Sequence, residues 1–435
     1  MRILVIGSGG REHSLCWKLS RSGYSPEIHC APGNAGIGQI ANCHEVQADD
    51  IEGLVNLVHE IETEMAVIGP EVPLTLGLAD RLEESGIKVI GPCANAAQLE
   101  GSKAFMKELC VRQDIPTAVF ESFTDPEKAK NYIRDADFPV VIKADGLAAG
   151  KGVVIPETES QAFEVIDEML SGKSFGRAGR KIVIEEFLNG PEVSFFALCD
   201  GQDVIPFGTA EDHKRAFDDD KGPNTGGMGA FSPSPLVDND LADEIMKTII
   251  FPTFNGLKEQ GIAFKGVLYA GLILVNGRPK LLEYNTRFGD PECQALMMRL
   301  ESDLVDIFKA LASGNLQQWK NKIDWASRPA ITVVMAARGY PGSYPKNTPL
   351  KGLGKIRQDS YLQLFHAGTR KGKHGEIVNS GGRVLNMACT AETIEAARDK
   401  AYENLELIEW PEGFFRRDIA LKALKKDYRD KKTAI

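Results

Sequence analysis

The sequence predicts an α/β protein of about three domains, and three observations lead there. At 435 residues the chain exceeds the usual domain length of ~150 residues about threefold. Its first ~100 residues alternate short apolar runs with helical periodicity, the order that builds a parallel sheet. Two further strand-rich regions follow, one opening at Ser102 and one near Arg328. The expected division is 1–101, 102–327 and 328–435.

Composition removes several function classes. The apolar fraction of 43% and charged fraction of 26% are those of a globular chain, so disorder is not expected. A net charge of −10 argues against a general nucleic-acid or membrane-surface binder, which attracts its partner through basic surface. An anionic small molecule stays compatible, because a basic pocket can sit on an acidic protein. The eight cysteines form no C-x-x-C, and no histidine pair has zinc-ligand spacing. Scattered thiols fit a reducing compartment. The opening Met-Arg-Ile-Leu-Val-Ile-Gly reads as a strand, not a signal peptide, and the longest apolar stretch, 267–275, is too short to span a bilayer. The expected location is cytoplasmic.

In the first region, 2–6 is a buried-strand run, 12–22 carries a helical pattern and 27–30 is a short strand. Residues 53–64 read as a helix with Leu54, Leu57, Val58 and Ile61 on one face, and 65–68 and 87–90 as strands. In the second region strands are expected at 139–143, 152–155, 181–187, 193–199 and 204–207. A helix at 158–170 opens with Thr158 and Gln161 as a capping box. The polar, glycine-rich stretch 211–235 is long enough to suggest a functional loop. A helix at 239–260 precedes two strands, 264–275 and 279–285, joined by the hairpin dipeptide Asn276-Gly277. The third region has strands at 330–336, 362–366 and 383–389 and a helix at 391–408. The basic tail 422–432 reads as a solvated helix end.

Several motifs carry chemistry. Gly7-Ser8-Gly9-Gly10 lies between a strand and a helix, where free N–H groups and the helix dipole suit a phosphate. It is not a dinucleotide fingerprint, because Glu12 stands where the third glycine belongs and the next strand ends at Cys30-Ala31-Pro32 without a ribose acid. One phosphate is the expectation, although such a turn also serves packing alone. Pro32-Gly33-Asn34 and Gly69-Pro70-Glu71 close neighbouring strands, where ligands of such sheets bind.

The loop 145–152, with Gly146, Gly150, Lys151 and Gly152, can bend over a phosphate chain; it is also what a flexible hairpin looks like. It fails as a Walker A loop, since Gly152 occupies the place of the metal-binding hydroxyl. Lys143 ends the strand before it, placed to meet phosphates. Lys103 opposes the dipole of the helix opened by Ser102, a conflict that a bound anion would reverse. Glu185-Glu186-Phe187-Leu188 closes a strand whose edge can pair with a purine, with Glu192 placed for ribose hydroxyls.

The densest signal is 281–292. Strand alternation puts Glu283 and Asn285 on one face, a carboxylate and an amide oxygen suited to a magnesium ion on phosphates. Arg287 could grip a carboxylate bidentately, and Asp290 could hold an amine. A structural ion pair of Glu283 with a lysine is the competing reading. In Asp212-His213-Lys214-Arg215, His213 is expected to be a hydrogen-bonded structural residue; the glycine run at 226–229 suggests close backbone approach to a ligand.

Together the segments VIGSGGREH, APGNAG, GPEVPL, GSKAFMK, VIKADGLAAGKGV, IVIEEFLNGPE, DHKR, GPNTGGMGA, LYAGL, RFGDPE, HAGT and NSGGRVL resemble the ATP-grasp superfamily and, within it, the phosphoribosylamine–glycine ligase family, over essentially the whole chain. The resemblance implies an N-terminal Rossmann-like (pre-ATP-grasp) domain, an ATP-grasp domain with a lid at about 118–190, and a C-terminal mixed α/β domain. It implies ligation of glycine to 5-phosphoribosylamine with ATP, through glycyl phosphate, in purine synthesis. It places Lys103, Lys143, Gly146, Gly150, Lys151 and Gly152 on the nucleotide phosphates and Glu185, Glu186, Leu188 and Glu192 at adenosine. It places Mg2+ or Mn2+ on Glu283 and Asn285. Gly10, Asn34, Glu71 and Lys214 would meet phosphoribosylamine; Asp212, Arg287 and Asp290 would meet glycine and the transferring phosphoryl group, with Lys214, Arg287 and Asp290 as catalytic residues. Many superfamily members take a second metal carboxylate from the preceding strand, and here 267–275 has none. A monomer is the working expectation for assembly.

The alternatives are another ATP-grasp carboxylate–amine ligase of purine metabolism, a nucleotide-regulated binding protein that has lost catalysis, and a dehydrogenase. RFGDPE and DHKR argue against the first, the intact set Glu283, Asn285, Arg287 and Asp290 against the second, and the missing third glycine and ribose acid against the third.

Overall fold

The computed structural model describes residues 1–147, 152–172, 179–425 and 428. The expectations for Gly150 and Lys151, and for most of the basic tail, lie outside these residues.

The chain opens with β1 (Arg2–Gly7), α1 (Gly10–Ser20), β2 (Glu27–Pro32), β3 (Asn42–Cys43), α2 (Ile51–Glu60), β4 (Met65–Ile68), α3 (Glu71–Thr75), α4 (Leu78–Glu84), β5 (Lys88–Ile90) and α5 (Ala94–Gly101). The strands form one parallel sheet in the order β3-β2-β1-β4-β5. That order reverses direction at β1, so the crevice beyond β1 and β4 is a topological switch point, where ligands of open α/β sheets bind. The turns after β1, β2 and β4 converge there.

Next come α6 (Lys103–Arg112), β6 (Phe120–Phe123), α7 (Pro126–Arg134), β7 (Val140–Ala144), β8 (Val153–Val154), α8 (Glu159–Leu170) and β9 (Ile182–Glu186). The four strands make an antiparallel sheet, β6-β9-β7-β8. Ala129, Ile133, Ile142, Ala162, Ile166 and Ile184 give this unit a small core of its own. Thr158 caps α8, but Gln161 returns its bond to the N–H of Glu157 instead of closing the box on Thr158. Helix α7, which apolar periodicity did not suggest, is started by Asp125, whose carboxylate accepts from Glu127 and Lys128.

The chain continues through β10 (Glu192–Asp200), β11 (Val204–Asp212), β12 (Arg215–Phe217), β13 (Lys221–Asn224), β14 (Gly229–Ser232), α9 (Asn239–Ile245), α10 (Phe251–Glu259), β15 (Lys265–Val275), β16 (Arg278–Asn285), α11 (Glu292–Arg299) and α12 (Leu304–Ala312). The expected helix 239–260 is interrupted by a π-turn at Met246–Ile250 just before Pro252, whose missing N–H cannot complete the ladder. Asn276 and Gly277 both take positive φ, as the hairpin turn requires.

The last elements are β17 (Ala330–Ala337), β18 (Leu362–His366), β19 (Thr369–Lys371), β20 (Ile377–Asn379), β21 (Arg383–Thr390), α13 (Ile394–Leu405), β22 (Gly413–Phe414) and α14 (Leu421–Leu424). A nine-stranded sheet runs β16-β15-β10-β11-β14-β17-β21-β18, with β22 on β17. The stretch 211–235 is therefore not one open loop. It holds the β12–β13 hairpin and β14, which pairs with β11 on one side and β17 on the other. The sheet is continuous across the boundary expected near residue 328.

Leu15 and Leu19 of α1 share a buried cluster with Phe196, Phe288, Leu296 and Phe308. Each such side chain contributes ~1.5–3 kcal/mol of burial, so the N-terminal sheet is anchored beside the end of β16. Among the described residues no helix is long and apolar enough to cross a membrane.

Candidate active site

Strand β16 points Glu283 and Asn285 to one face, as alternation requires. Opposite Glu283 in the register is Gly271, and a Cβ there would approach the Glu283 side chain to 3.2 Å. The bare position on β15 is thus where a neighbouring carboxylate is lacking and where Glu283 takes the room.

Cations surround Glu283. Burial pushes its carboxyl up, but Lys214, Lys143, Lys103 and Arg287 outweigh that and hold it below the usual range. Each lysine comes from a different element. Lys103 opens α6, and its Nζ reaches the carbonyl of Gly146 at 3.4 Å. Lys143 lies on β7 and donates to the carbonyl of Leu282 at 3.3 Å. Lys214 follows β11, 2.6 Å from Glu192 Oε2. Burial pulls the Lys214 ammonium down, yet Glu192, Asp212 and Glu283 keep it well above its ordinary value.

The anion anticipated at the N-terminus of α6 is part of the protein. Asp145 Oδ1 accepts the Ala104 N–H at 2.7 Å and the Ser102 hydroxyl at 3.0 Å, offsetting Lys103. Glu185, expected at adenosine, turns inward: its carboxylate lies between Lys107, at 3.0 Å, and Lys143, at 2.9 Å. Glu186 is exposed and accepts the Val119 N–H at 3.0 Å, with Lys280 at 3.3 Å. Leu188 follows β9, half-buried, and Gly152 is buried before β8. Glu192 starts β10 and meets Lys214 instead of standing alone.

Just past β16 the charges reverse. Arg287 bonds Glu100 at 2.7 Å and Asn285 Oδ1 at 3.0 Å, with Glu71 at 3.5 Å. Burial opposes its charge, but Glu100 and Glu71 raise the Arg287 pKa. Thr286 holds Glu100 from the other side through its N–H at 2.8 Å. Asp290 accepts from Gln294 at 2.8 Å and from the Arg11 N–H at 3.4 Å. Burial raises the Asp290 carboxyl, and Arg383 and Arg11 bring it below its ordinary value. Asp290 is thus the anion that faces the start of α1. The Gly9 N–H at that turn goes to Glu12 Oε2 at 2.6 Å, so the turn offers a phosphate fewer donors than its sequence suggests. Burial pushes the Asp212 carboxyl up to about 7 against Lys214, with Glu292 and Glu192 adding to the rise.

On the sheet side, a Cβ on Gly10 would stand 2.3 Å from Asn386 Nδ2 and 2.5 Å from Gln294 Nε2, so both amides would have to shift to admit a side chain. The amide oxygens of Gln294 and Asn386 are buried without a hydrogen-bond partner among the described residues. Asn34 uses its amide within the chain, donating to the carbonyls of Ser8 at 2.9 Å and His366 at 2.8 Å and accepting from Gly36 and Ile37. Glu71 leads α3; burial raises its carboxyl, and Arg287 and Arg11 outweigh that. His213 is structural: burial holds it well below its ordinary pKa, and its Nε2 faces the Ala420 N–H at 3.3 Å.

Sequence reasoning missed Glu100, Lys107, Glu292, Gln294, Arg383 and Asn386. Glu292 is buried and accepts the Tyr269 hydroxyl at 2.8 Å, and Arg383 reaches in from β21. Glu292 in RFGDPE, Lys107 in GSKAFMK and Arg383 in NSGGRVL lay inside segments that the sequence singles out, without a role of their own; Glu100, Gln294 and Asn386 are brought in by folds of the chain.

The residues fit a magnesium-type cation held jointly with phosphates. Among the described residues no cluster of three or more histidines, cysteines and acids could hold a metal alone. Glu283 and Asn285 supply two hard oxygen ligands, and the lysines around them supply a bed for phosphate oxygens, which complete the shell of a cation that keeps waters and substrate ligands.

An antiparallel sheet carrying a Glu-x-Asn strand, next to a smaller sheet that brings in a lysine, defines an ATP-grasp enzyme. Biotin carboxylases share this fold: the Campylobacter jejuni enzyme, solved as a beta-gamma-ATP complex, matches with a TM-score of 0.76 at 15% identity over 98% of this chain and 96% of that one. The biotin carboxylase domain of Hydrogenobacter thermophilus 2-oxoglutarate carboxylase, solved with MgADP, gives 0.74 at 21% over 99% and 95%.

The chain belongs to the phosphoribosylamine–glycine ligase family. Family profiles for phosphoribosylglycinamide synthetase match its N domain at 1–100, its ATP-grasp (A) domain at 101–293 and its C domain at 330–422. The phosphoribosylamine–glycine ligase of Brucella melitensis is 49% identical over 98% of this chain and 99% of its own length. The chloroplastic one of Arabidopsis thaliana is 48% identical over 97% and 83%. The crystal structure of the Thermotoga maritima enzyme matches with a TM-score of 0.85 and 34% identity, over 97% of this chain and all of that one.

Proposed function

We propose that this chain ligates glycine to 5-phosphoribosylamine with ATP, forming glycinamide ribonucleotide, ADP and phosphate through glycyl phosphate, in purine biosynthesis. The observation that carries this reading is the ring of Lys103, Lys143 and Lys214 around Glu283, next to Arg287 and Asp290.

The chemistry follows from the charges. A carboxylate is a poor electrophile until phosphorylated. A glycine oxygen attacks the γ-phosphorus and ADP leaves; the sugar amine then attacks the glycyl carbon, phosphate leaves, and the amine gives up a proton. Lys103 and Lys143 would neutralise the phosphate chain, with Gly146 and Gly152 framing the loop over it, and the edge around Glu186 and Leu188, with Glu192, would hold adenosine. A Mg2+ ion, or Mn2+ in its place, on Glu283 and Asn285 would neutralise the transferring phosphoryl group. Arg287 would take the glycine carboxylate, and Asp212 and Asp290 its ammonium. Gly10 with the unpartnered amide oxygens of Gln294 and Asn386, flanked by Asn34 and Glu71, would face the sugar. Catalysis is then mostly positioning and charge neutralisation. The unit from β6 to β9 is the natural lid, keeping water off glycyl phosphate.

ADP release with each substrate omitted in turn is the test: release should need both glycine and phosphoribosylamine. Oxygen-18 in the glycine carboxylate should appear in the released phosphate. Its absence there would exclude glycyl phosphate, and nucleotide-dependent product from another acid or amine would replace the substrate assignment.

A further inference from the structure

Lys107 lies outside the set of residues assigned above, yet it is 0% exposed and aimed at the same carboxylate as Lys143. Its Nζ is 3.0 Å from Glu185 Oε2, and Lys143 Nζ is 2.9 Å from Glu185 Oε1. Glu185 itself is 2% exposed. A buried carboxylate needs one cation to compensate it; a second buried ammonium adds its own desolvation cost of several kcal/mol unless it meets another anion. The triad therefore holds one positive charge in excess.

The excess is directed. Lys107 donates to Thr117 Oγ1 at 2.7 Å, and Thr117 donates to the carbonyl of Leu281 at 2.7 Å. Lys143 donates to the carbonyl of the next residue, Leu282, at 3.3 Å. Both cations are thus tied to β16 immediately before Glu283. Lys143 is one of the cations whose charge acts on Glu283, alongside Lys103 and Lys214.

We propose that Lys107 is a positioning residue for the nucleotide: it compensates Glu185 so that Lys143 presents an undiminished positive charge to the phosphates. The inference rests on the phosphate site assigned under Proposed function. Without Lys107, Glu185 would pair one-to-one with Lys143 and cancel it.

The test is the affinity for ADP with Mg2+, read by calorimetry on the full chain, which requires neither glycine nor the sugar. Lys107→Met should weaken ADP on the order of tenfold, the effect of losing one charge near the phosphates in a partly screened site. It should leave the KM for glycine unchanged. The double variant Lys107→Met, Glu185→Gln restores the excess charge and should return ADP binding to within about threefold of wild type. A merely structural Lys107 predicts the reverse, with the double variant at least as weak as the single. ADP affinity unchanged in the single variant, or no recovery in the double, overturns the proposal. Should Lys107→Met not fold, the double variant alone decides, since near-wild-type ADP binding supports the proposal and weak binding sinks it. A wild-type chain that binds ADP in this pattern but does not join glycine to phosphoribosylamine would refute the ligation reading and leave this inference standing.

Discussion

Arg383 donates to the backbone carbonyl of Asp290 at 2.5 Å while its guanidinium lies 3.6 Å from the Asp290 carboxylate. The same Nη1 also donates to the carbonyl of Gly226 at 2.5 Å. One side chain from β21 thereby ties the acid beyond β16 to the glycine run beyond β13. The C-terminal region is built into the site, because the nine-stranded sheet carries β21 next to β17 and β17 next to β14.

Arg383→Gln should therefore lower kcat/KM for glycine or phosphoribosylamine by about 10–100-fold, the scale on which small misplacements act. The KM for ATP should stay within about twofold. Steady-state kinetics with each substrate varied checks this; an equal effect on all three would remove Arg383 from the substrate side.

Glu283→Gln keeps the shape of the side chain but removes the charge that Lys214, Lys143 and Lys103 surround. Turnover should fall on the order of 10³-fold or more, with cooperative thermal unfolding retained. Full activity at ordinary magnesium would exclude Glu283 as a cation ligand.

Arg287 compensates Glu100, and this contact must be separated from the glycine-binding role proposed for it. Arg287→Ala should cost roughly 3–5 kcal/mol of stability by orphaning a buried carboxylate. It should also raise the KM for glycine more than that for ATP. Adding Glu100→Gln should recover stability and leave the glycine defect. Chemical denaturation and kinetics on both variants distinguish the two effects, and equal KM changes for glycine and ATP would take Arg287 out of the glycine site.

Asp212, pushed up to about 7, makes a signed pH prediction. Its folded pKa lies above the ordinary ~3.9 of the unfolded chain, so folding favours the protonated form. That contribution to stability is complete below about pH 4 and is lost as pH rises through 7. Asp212→Asn should flatten this part of the stability profile of the ligand-free protein, measured by urea unfolding between pH 4 and 8. An unaltered slope would assign the titration to another group.

Local chemistry was enough for many of the elements and for the shared face of Glu283 and Asn285 on β16. Periodicity located most strands and about half of the helices because burial imposes it on each segment separately, and Asn276-Gly277 named its turn by the φ values only such residues take easily. Helix α7 escaped although Ala129 and Ile133 form a buried stripe, because its nine residues carry few apolar groups between many charges and its start is marked by a cap, Asp125. Strand β14 escaped because Gly229–Ser232 is short and is defined by the two neighbours it joins.

From its residues alone the chain determined the α/β class and the pairing of Glu283 with Asn285 on one face, both of which follow from spacing along the backbone, while its family was legible as a resemblance of whole segments such as RFGDPE. Tertiary structure decided the partners. It gave Glu185 to Lys107 and Lys143, Glu100 to Arg287, Glu192 to Lys214 and Arg383 to Asp290, across separations that no local pattern encodes. The physical reason is that a buried charge must be met by whatever the fold places within a few ångströms, and that neighbour is chosen by packing in three dimensions.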